Sequence, residues 1–209
     1  MDDINPPSVI ETYERHGRTW ATLRGQELVE DAWLERFCRT IPTGSAVLDI
    51  GCGSAVPISS NLVRRGYAVN GVDRSATMVE LFRSNLPSIP VQRLDMREMA
   101  LGTRFAGLIA WDSFFHLAPN DQRPMFVRFA AHAMPGVPLM FTSGTDEGHA
   151  IGSHDGVALY HGSLGPDEYR RLLDQAGFDL LRQVEDDPTC GNRTIWLARM
   201  RELGDGLGR

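Results

Sequence analysis

Ala46-Val47-Leu48-Asp49-Ile50-Gly51-Cys52-Gly53 is a short apolar run that passes directly into two glycines, and Pro57–Arg65 beyond it has helical spacing. Glycines at a strand-to-helix turn let the backbone approach a ligand closely and take angles that other residues resist. Asp73 follows Gly51 by 22 positions and closes a second strand-forming stretch, Tyr67–Val72. A carboxylate there can accept hydrogen bonds from both hydroxyls of a ribose, so turn and aspartate together point to a nucleoside ligand.

Outward from this unit, strands and helices keep alternating. Ser75–Asn85 reads as a helix, Val91–Leu94 as a short strand, Phe105–Trp111 as an apolar strand, Pro124–Ala133 as a helix and Val137–Thr142 as a strand. This pattern predicts an α/β fold: a parallel sheet with helices on both faces, its strand C-termini gathered on the edge where ligands bind. The last third differs. Pro166, Asp167 and Glu168 open a helix that Gly177 ends, and Phe178–Glu185 and Asn192–Met200 then form a hairpin. Residues 143–165, with glycines at 144, 148, 152, 156 and 162, are expected to be a glycine-rich loop that serves as a lid. The tail Gly204–Arg209 is expected to fray.

Ahead of the sheet, Val9–Arg24 sets Tyr13, Trp20 and Arg24 at helical spacing, and Glu27–Arg39 carries an apolar stripe that includes Leu28, Trp33 and Phe37.

With 209 residues, 42% hydrophobic and 23% charged, the chain suits one folded domain. A formal charge of -6 gives no general attraction to phosphate backbones, so nucleic acid is not the expected partner. Met1–Pro7 has no basic stretch leading into an apolar run, so no signal peptide is expected, and no apolar stretch is long enough to span a bilayer. Cys38, Cys52 and Cys190 lack metal-ligand spacing and fit reduced thiols in the cytoplasm. His149, His154 and Asp155 share no spacing that fixes ligand geometry, so they read as solvated loop residues and no metal is expected.

Two nucleoside cofactors compete for the glycine turn. A dinucleotide fold wants Gly or Ala at the last position of Gly-x-Gly-x-x-Gly, where this chain has Val56. S-adenosylmethionine has no pyrophosphate and needs no helix terminus aimed at one. Val56 therefore disfavours NAD.

Val47–Gly53, Gly71-Val72-Asp73, Leu94-Asp95-Met96-Arg97 and Phe105–Leu117 resemble successive motifs of class I S-adenosylmethionine-dependent methyltransferases, across roughly residues 45 to 143. The resemblance implies a Rossmann-like, seven-stranded, mostly parallel sheet whose last strand is antiparallel. It also implies roles: Asp49, Gly51 and Gly53 form the methionine-side turn, Asp73 binds the ribose, Asp95 accepts from the adenine amino group and Met96 packs on the ring. Arg74 and Met78 join this cofactor set. Trp111 and Asp112 meet the amino-acid end of the cofactor, and Tyr13, Trp20 and Arg24 lie on a helix that closes over it. Ala55 departs from the family by replacing the third glycine of its commoner Gly-x-Gly-x-Gly form.

The Asn/Asp-Pro-Pro-Tyr signature of nucleobase and glutamine methylation is absent, and Asp112-Ser113-Phe114-Phe115 stands in its place. Trp111–Leu117 instead resembles the small-molecule branch. The implied organisation is a single domain over 1–209: a helical lid at 1–42, the cofactor core at 45–143, a substrate loop at 144–165, and a C-terminal helix and hairpin at 166–200. The expected function is methyl transfer to a small-molecule acceptor, with release of S-adenosylhomocysteine. The alternatives are an NAD-dependent oxidoreductase and a non-catalytic S-adenosylmethionine-binding module. If the acceptor must lose a proton, His116 is the first candidate base and His161 the second, although His116 reads equally as a structural hydrogen-bonding residue. The motifs specify neither the acceptor nor an oligomeric state.

Overall fold

In the computed structural model, which describes residues 9–24 and 27–202, the run around Leu48 becomes strand β1 (Ala46–Ile50). Before it come α1 (Val9–Arg24) and α2 (Asp31–Cys38); after it come α3 (Ile58–Arg64), β2 (Ala68–Asp73), α4 (Ala76–Asn85), β3 (Val91–Arg93) and β4 (Gly107–Ala110). The chain continues through α5 (Pro119–Gln122), α6 (Met125–His132), β5 (Pro138–Ser143), β6 (Gly148–His154), β7 (Val157–Ser163), α7 (Pro166–Gln175), β8 (Phe178–Asp187) and β9 (Arg193–Met200). Seven strands form one sheet in the order β3-β2-β1-β4-β5-β9-β8. The first five pair in parallel, and β9 runs antiparallel to both of its neighbours. This is the Rossmann-like architecture expected from the sequence, with the last strand reversed.

Strand residues alternate between two cores, which explains why the strands read as continuous apolar runs rather than as an in/out pattern. Leu48, Leu108, Phe141 and Trp196 face one side, where Phe126 and Phe129 of α6 and Tyr169 and Leu173 of α7 cover them. Val47, Ile109, Met140 and Ile195 face the other, against Trp33, Leu34 and Phe37 of α2 and Leu62 of α3. The rings of Phe141 and Trp196 stack 5.8 Å apart and 2° from parallel, tying β5 to the reversed strand.

One segment differs from expectation. The stretch read as a glycine-rich loop folds into a two-stranded hairpin, β6 paired antiparallel with β7 from Gly148↔Ser163 to His154↔Val157. Its tip is Asp155-Gly156, with φ of +52° and +75°. Positive φ at both central residues is the turn that matches the twist of paired strands, and Asp-Gly is a preferred pair for it. The two glycines and two histidines of β6, in a strand that is exposed at most positions, hide the strand pattern. His149 and His154 are exposed, as expected, but sit on a strand and not in a loop: His149 stacks on Tyr160 at 6.0 Å, and His154 meets Trp20 edge-on at 4.8 Å.

Among the described residues no group of three or more His, Cys, Asp or Glu side chains could hold a metal, and no helix is long and apolar enough to cross a membrane. The stretch Met1–Pro7 and the tail expected to fray lie outside the described residues.

The turn after β1 admits no side chain at its first glycine. Gly51 has φ +72°, and a Cβ there would lie 2.3 Å from Cβ of Ser113. Gly51→Ala should cost about 3 kcal/mol or more, since positive-φ strain and overpacking add. Chemical denaturation will show this as a lower midpoint at unchanged slope.

Candidate active site

The C-terminal ends of β1, β2 and β4 open into a cavity of about 730 Å³. Every residue singled out from the sequence lines it: Tyr13, Trp20, Arg24, Asp49, Gly51, Gly53, Asp73, Arg74, Met78, Asp95, Met96, Trp111, Asp112, His116 and His161.

The glycine turn is held from both sides. Gly51 and Cys52 donate their amides to the carbonyl of Val72 at 2.7 and 3.1 Å, and Ser113 Oγ donates to the carbonyl of Ile50 at 2.6 Å. Ala55, in place of a glycine, keeps the glycine conformation with φ +75°. Asp49 is buried at the end of β1 and accepts from Ser59 Oγ at 2.6 Å. Burial pushes its carboxyl up to about 7 against the pull of that hydrogen bond.

Asp73 accepts from the amide of Ser75 at 2.8 Å and from that of Gly53 at 2.9 Å, one on each oxygen. Each oxygen keeps a second lone pair for a ligand hydroxyl. Burial again dominates and lifts this carboxyl to about 6. Asp95 follows β3 and accepts from the amide of Arg97 at 3.0 Å, so it caps the short helical turn Met96–Glu98. It also pairs with Arg97 at 2.7 Å and Arg74 at 3.2 Å. Despite the opposing effect of partial burial, these contacts hold its carboxyl below the usual range.

Helix α1 is docked across α4 by a carboxylate that sequence reasoning missed. Glu14 accepts from the amides of Ala76 at 2.6 Å and Thr77 at 3.0 Å and from Thr77 Oγ1 at 2.8 Å. It thereby satisfies donors of the first turn of α4, while Ser75 caps Met78. Gly17 makes the approach possible, since a Cβ there would lie 2.9 Å from Cε of Met78.

Docking brings Tyr13 to the site. Its hydroxyl lies 3.1 Å from Nε2 of His116, while Nδ1 of His116 lies 3.0 Å from the carbonyl of Tyr160. A carbonyl only accepts, so Nδ1 carries the proton and Nε2 accepts from Tyr13. Burial pushes His116 down to about 4, so it is neutral at physiological pH. Burial also lowers His161, whose ring centroid is 5.2 Å from that of His116. Burial and the charges of Asp73 and Asp112 push the Tyr13 phenol up.

A second network missed from sequence joins α1 to the sheet. Arg24 pairs with the fully buried Glu30, and Arg193, at the start of β9, lies 3.8 Å from Glu30 and 2.7 Å from Asp112. Asp112 takes φ +49°, a strained angle for a non-glycine residue at a site. Arg193 could have been suspected as a cation opening a strand at the ligand edge; Glu30 and the Tyr160 carbonyl gave no signal.

Residues 47–136 match the sequence model of a family described as "Methyltransferase domain". A dTDP-3-amino-3,6-dideoxy-alpha-D-glucopyranose N,N-dimethyltransferase of Streptomyces fradiae is 31% identical over 99 residues, 46% of this chain and 38% of that protein. An O-methyltransferase of Pyrenophora dematioidea is 25% identical over 175 residues, 76% of this chain and 65% of the relative. The matches thus span between 38% and 65% of these curated relatives' length. Among solved structures, the sugar N-methyltransferase of Streptoalloteichus sp ATCC 53650 superposes with TM-score 0.73 at 17% identity, covering 97% of this chain and 98% of that one. The Burkholderia thailandensis 1,6-didemethyltoxoflavin-N1-methyltransferase, solved with 1,6-didemethyltoxoflavin and S-adenosylhomocysteine, gives 0.72 at 15% identity, covering 93% and 88%. Residues 47–136 are thus similar to a methyltransferase domain, and the chain shares the fold of these solved methyltransferases.

Glu14→Ala should leave the sheet intact while loosening α1 and the first turn of α4, a local loss of about 1 kcal/mol. Hydrogen exchange should quicken in those two segments and stay unchanged in β1, β4 and β5. For Asp49, whose folded value is raised above the ordinary 3.8 to about 7, the folded chain holds a proton that the unfolded chain has lost. Its contribution therefore falls as pH rises through that window, opposite in sign to that of the buried His116. Relative to wild type, Asp49→Asn should gain on the order of 2 kcal/mol between pH 4 and pH 8; denaturation at both pH values measures the difference.

Proposed function

We propose that this chain transfers the methyl group of S-adenosylmethionine to a small-molecule acceptor and releases S-adenosylhomocysteine. The observation that carries the reading is the meeting of Asp49, Asp73 and Asp95 with the glycine turn around one cavity. Asp73 would hold the ribose, Asp95 the adenine amino group, with Met96 against the ring. The indole Nε1 of Trp111 fits the same ligand: it is buried at the cavity wall and meets no acceptor among the described residues. A buried donor left open in this way suits a carboxylate such as the one on the methionine part.

NAD fits less well. α3 begins at Ile58, five positions beyond Gly53, with Pro57 before it, so the turn does not aim a helix terminus at a pyrophosphate.

When bound, the sulfonium supplies an electrophilic methyl group, and transfer requires the acceptor atom to be held in line with it. The chain's own part is positioning and proton movement. Tyr13 and His116 form a neutral pair in which the phenol can take the acceptor proton as it hands its own to Nε2 of His116. His161 is the second candidate. α1 and the β6–β7 hairpin supply residues to the same cavity and act as its cover. The named relatives act on small molecules, which supports an acceptor of that kind. The formal charge of -6 supports a partner other than nucleic acid, and three buried unpaired cysteines support a cytoplasmic location.

S-adenosylhomocysteine should raise the melting temperature and NADH should not; stabilisation by NADH alone would overturn the reading. Release of labelled methyl to a metabolite panel separates an enzyme from a binding module. Tyr13→Phe and His116→Ala should each lower kcat about 10²-fold while leaving the stabilisation by S-adenosylhomocysteine within a few-fold.

A further inference from the structure

The amino-sugar relative from Streptomyces fradiae is named for a dTDP-linked substrate, which carries a diphosphate. Binding a diphosphate calls for cations free to pair with it. In this cavity the four lining arginines are already engaged: Arg24 by Glu30, Arg74 by Asp95, Arg97 by Asp95 and Asp121, and Arg193 by Asp112. Asp49 and Asp73 add carboxylates held by neutral donors, Ser59 Oγ and two backbone amides. The chain has no lysine, and Arg209 is the one basic side chain outside the described residues. An acidic acceptor would thus meet a wall whose positive charge is already balanced.

The end of the cavity built by α1, the segment after β4 and the hairpin is aromatic instead. Trp20, Phe115 and Tyr160 stand there with the imidazoles of His116, His154 and His161. His154 meets Trp20 at 4.8 Å, and Phe115 meets His161 at 4.8 Å, both edge-on. Such walls hold flat rings by stacking and edge contacts, while Tyr13 and His161 offer hydrogen bonds to a polar ring edge. We infer that the acceptor is a flat, uncharged ring compound bearing the reactive N–H or O–H and no phosphate or carboxylate. This rests on the methyltransferase reading.

The test uses the full chain saturated with S-adenosylhomocysteine and two probes that share one ring, 2-naphthol and 2-naphthyl phosphate, with calorimetric titration of each. 2-Naphthol should bind at least 10-fold more tightly than the phosphate, and Phe115→Ala should weaken 2-naphthol binding at least 10-fold without altering the response to S-adenosylhomocysteine. Equal or tighter binding of the phosphate, or no binding of 2-naphthol, overturns the inference. Methylation of a dTDP-amino sugar in preference to every uncharged ring amine or phenol supplied with S-adenosylmethionine overturns it as well. Failure of S-adenosylhomocysteine itself to bind is a different result and overturns the methyltransferase reading.

Discussion

The structure of the site depends on a close contact between the backbone at Gly51 and Ser113. The hydroxyl of Ser113 reaches the carbonyl of Ile50, and the space over Gly51 is filled by the side chain that makes this bond. The end of β1 is thereby locked to the segment leaving β4, and the amides after it are turned onto Val72 of β2. Three adjacent strands end at one fixed height. Asp49, Asp73 and Asp112 converge on the cavity because this junction leaves the backbone no alternative.

Convergence has an electrostatic cost that the neighbouring groups only partly offset. Asp49 and Asp73 are taken out of water and given neutral donors, so their carboxyls rise toward neutrality. Asp95 and Asp112 are given arginines instead. The site therefore contains two kinds of carboxylate. Those near the glycine turn are under-compensated and ready for a ligand's hydroxyl or ammonium groups, and those farther out are neutralised by the protein.

The mostly parallel sheet with its reversed last strand and the gathering of the named residues at one cavity were legible because each depends on a local signal: an apolar run, a glycine pair, a carboxylate closing a strand. Val56 was legible for the same reason. What escaped depends on contacts across the fold. Glu14 looks like any exposed helix glutamate until α4 is placed beneath it, and Glu30 becomes intelligible only between Arg24 and Arg193. The carbonyl of Tyr160, which sets the tautomer of His116, belongs to the backbone and leaves no mark on the residue type. The hairpin is the exception, since Asp155-Gly156 was present in the sequence; the glycines at 148 and 152 and the exposure of β6 at most positions obscured it.

The three hydrogen bonds that Glu14 accepts from α4 couple two parts of the molecule. The amides they cap belong to Ala76 and Thr77, a few residues past the aspartate that closes β2, and the helix carrying Glu14 also carries Tyr13 and Trp20 into the cavity. Lifting that helix uncaps α4 and withdraws an aromatic wall in the same movement. The first turn of α4 and the aromatic wall of the cavity thus share one carboxylate, with Arg18 on Glu80 bracing the same two helices farther along.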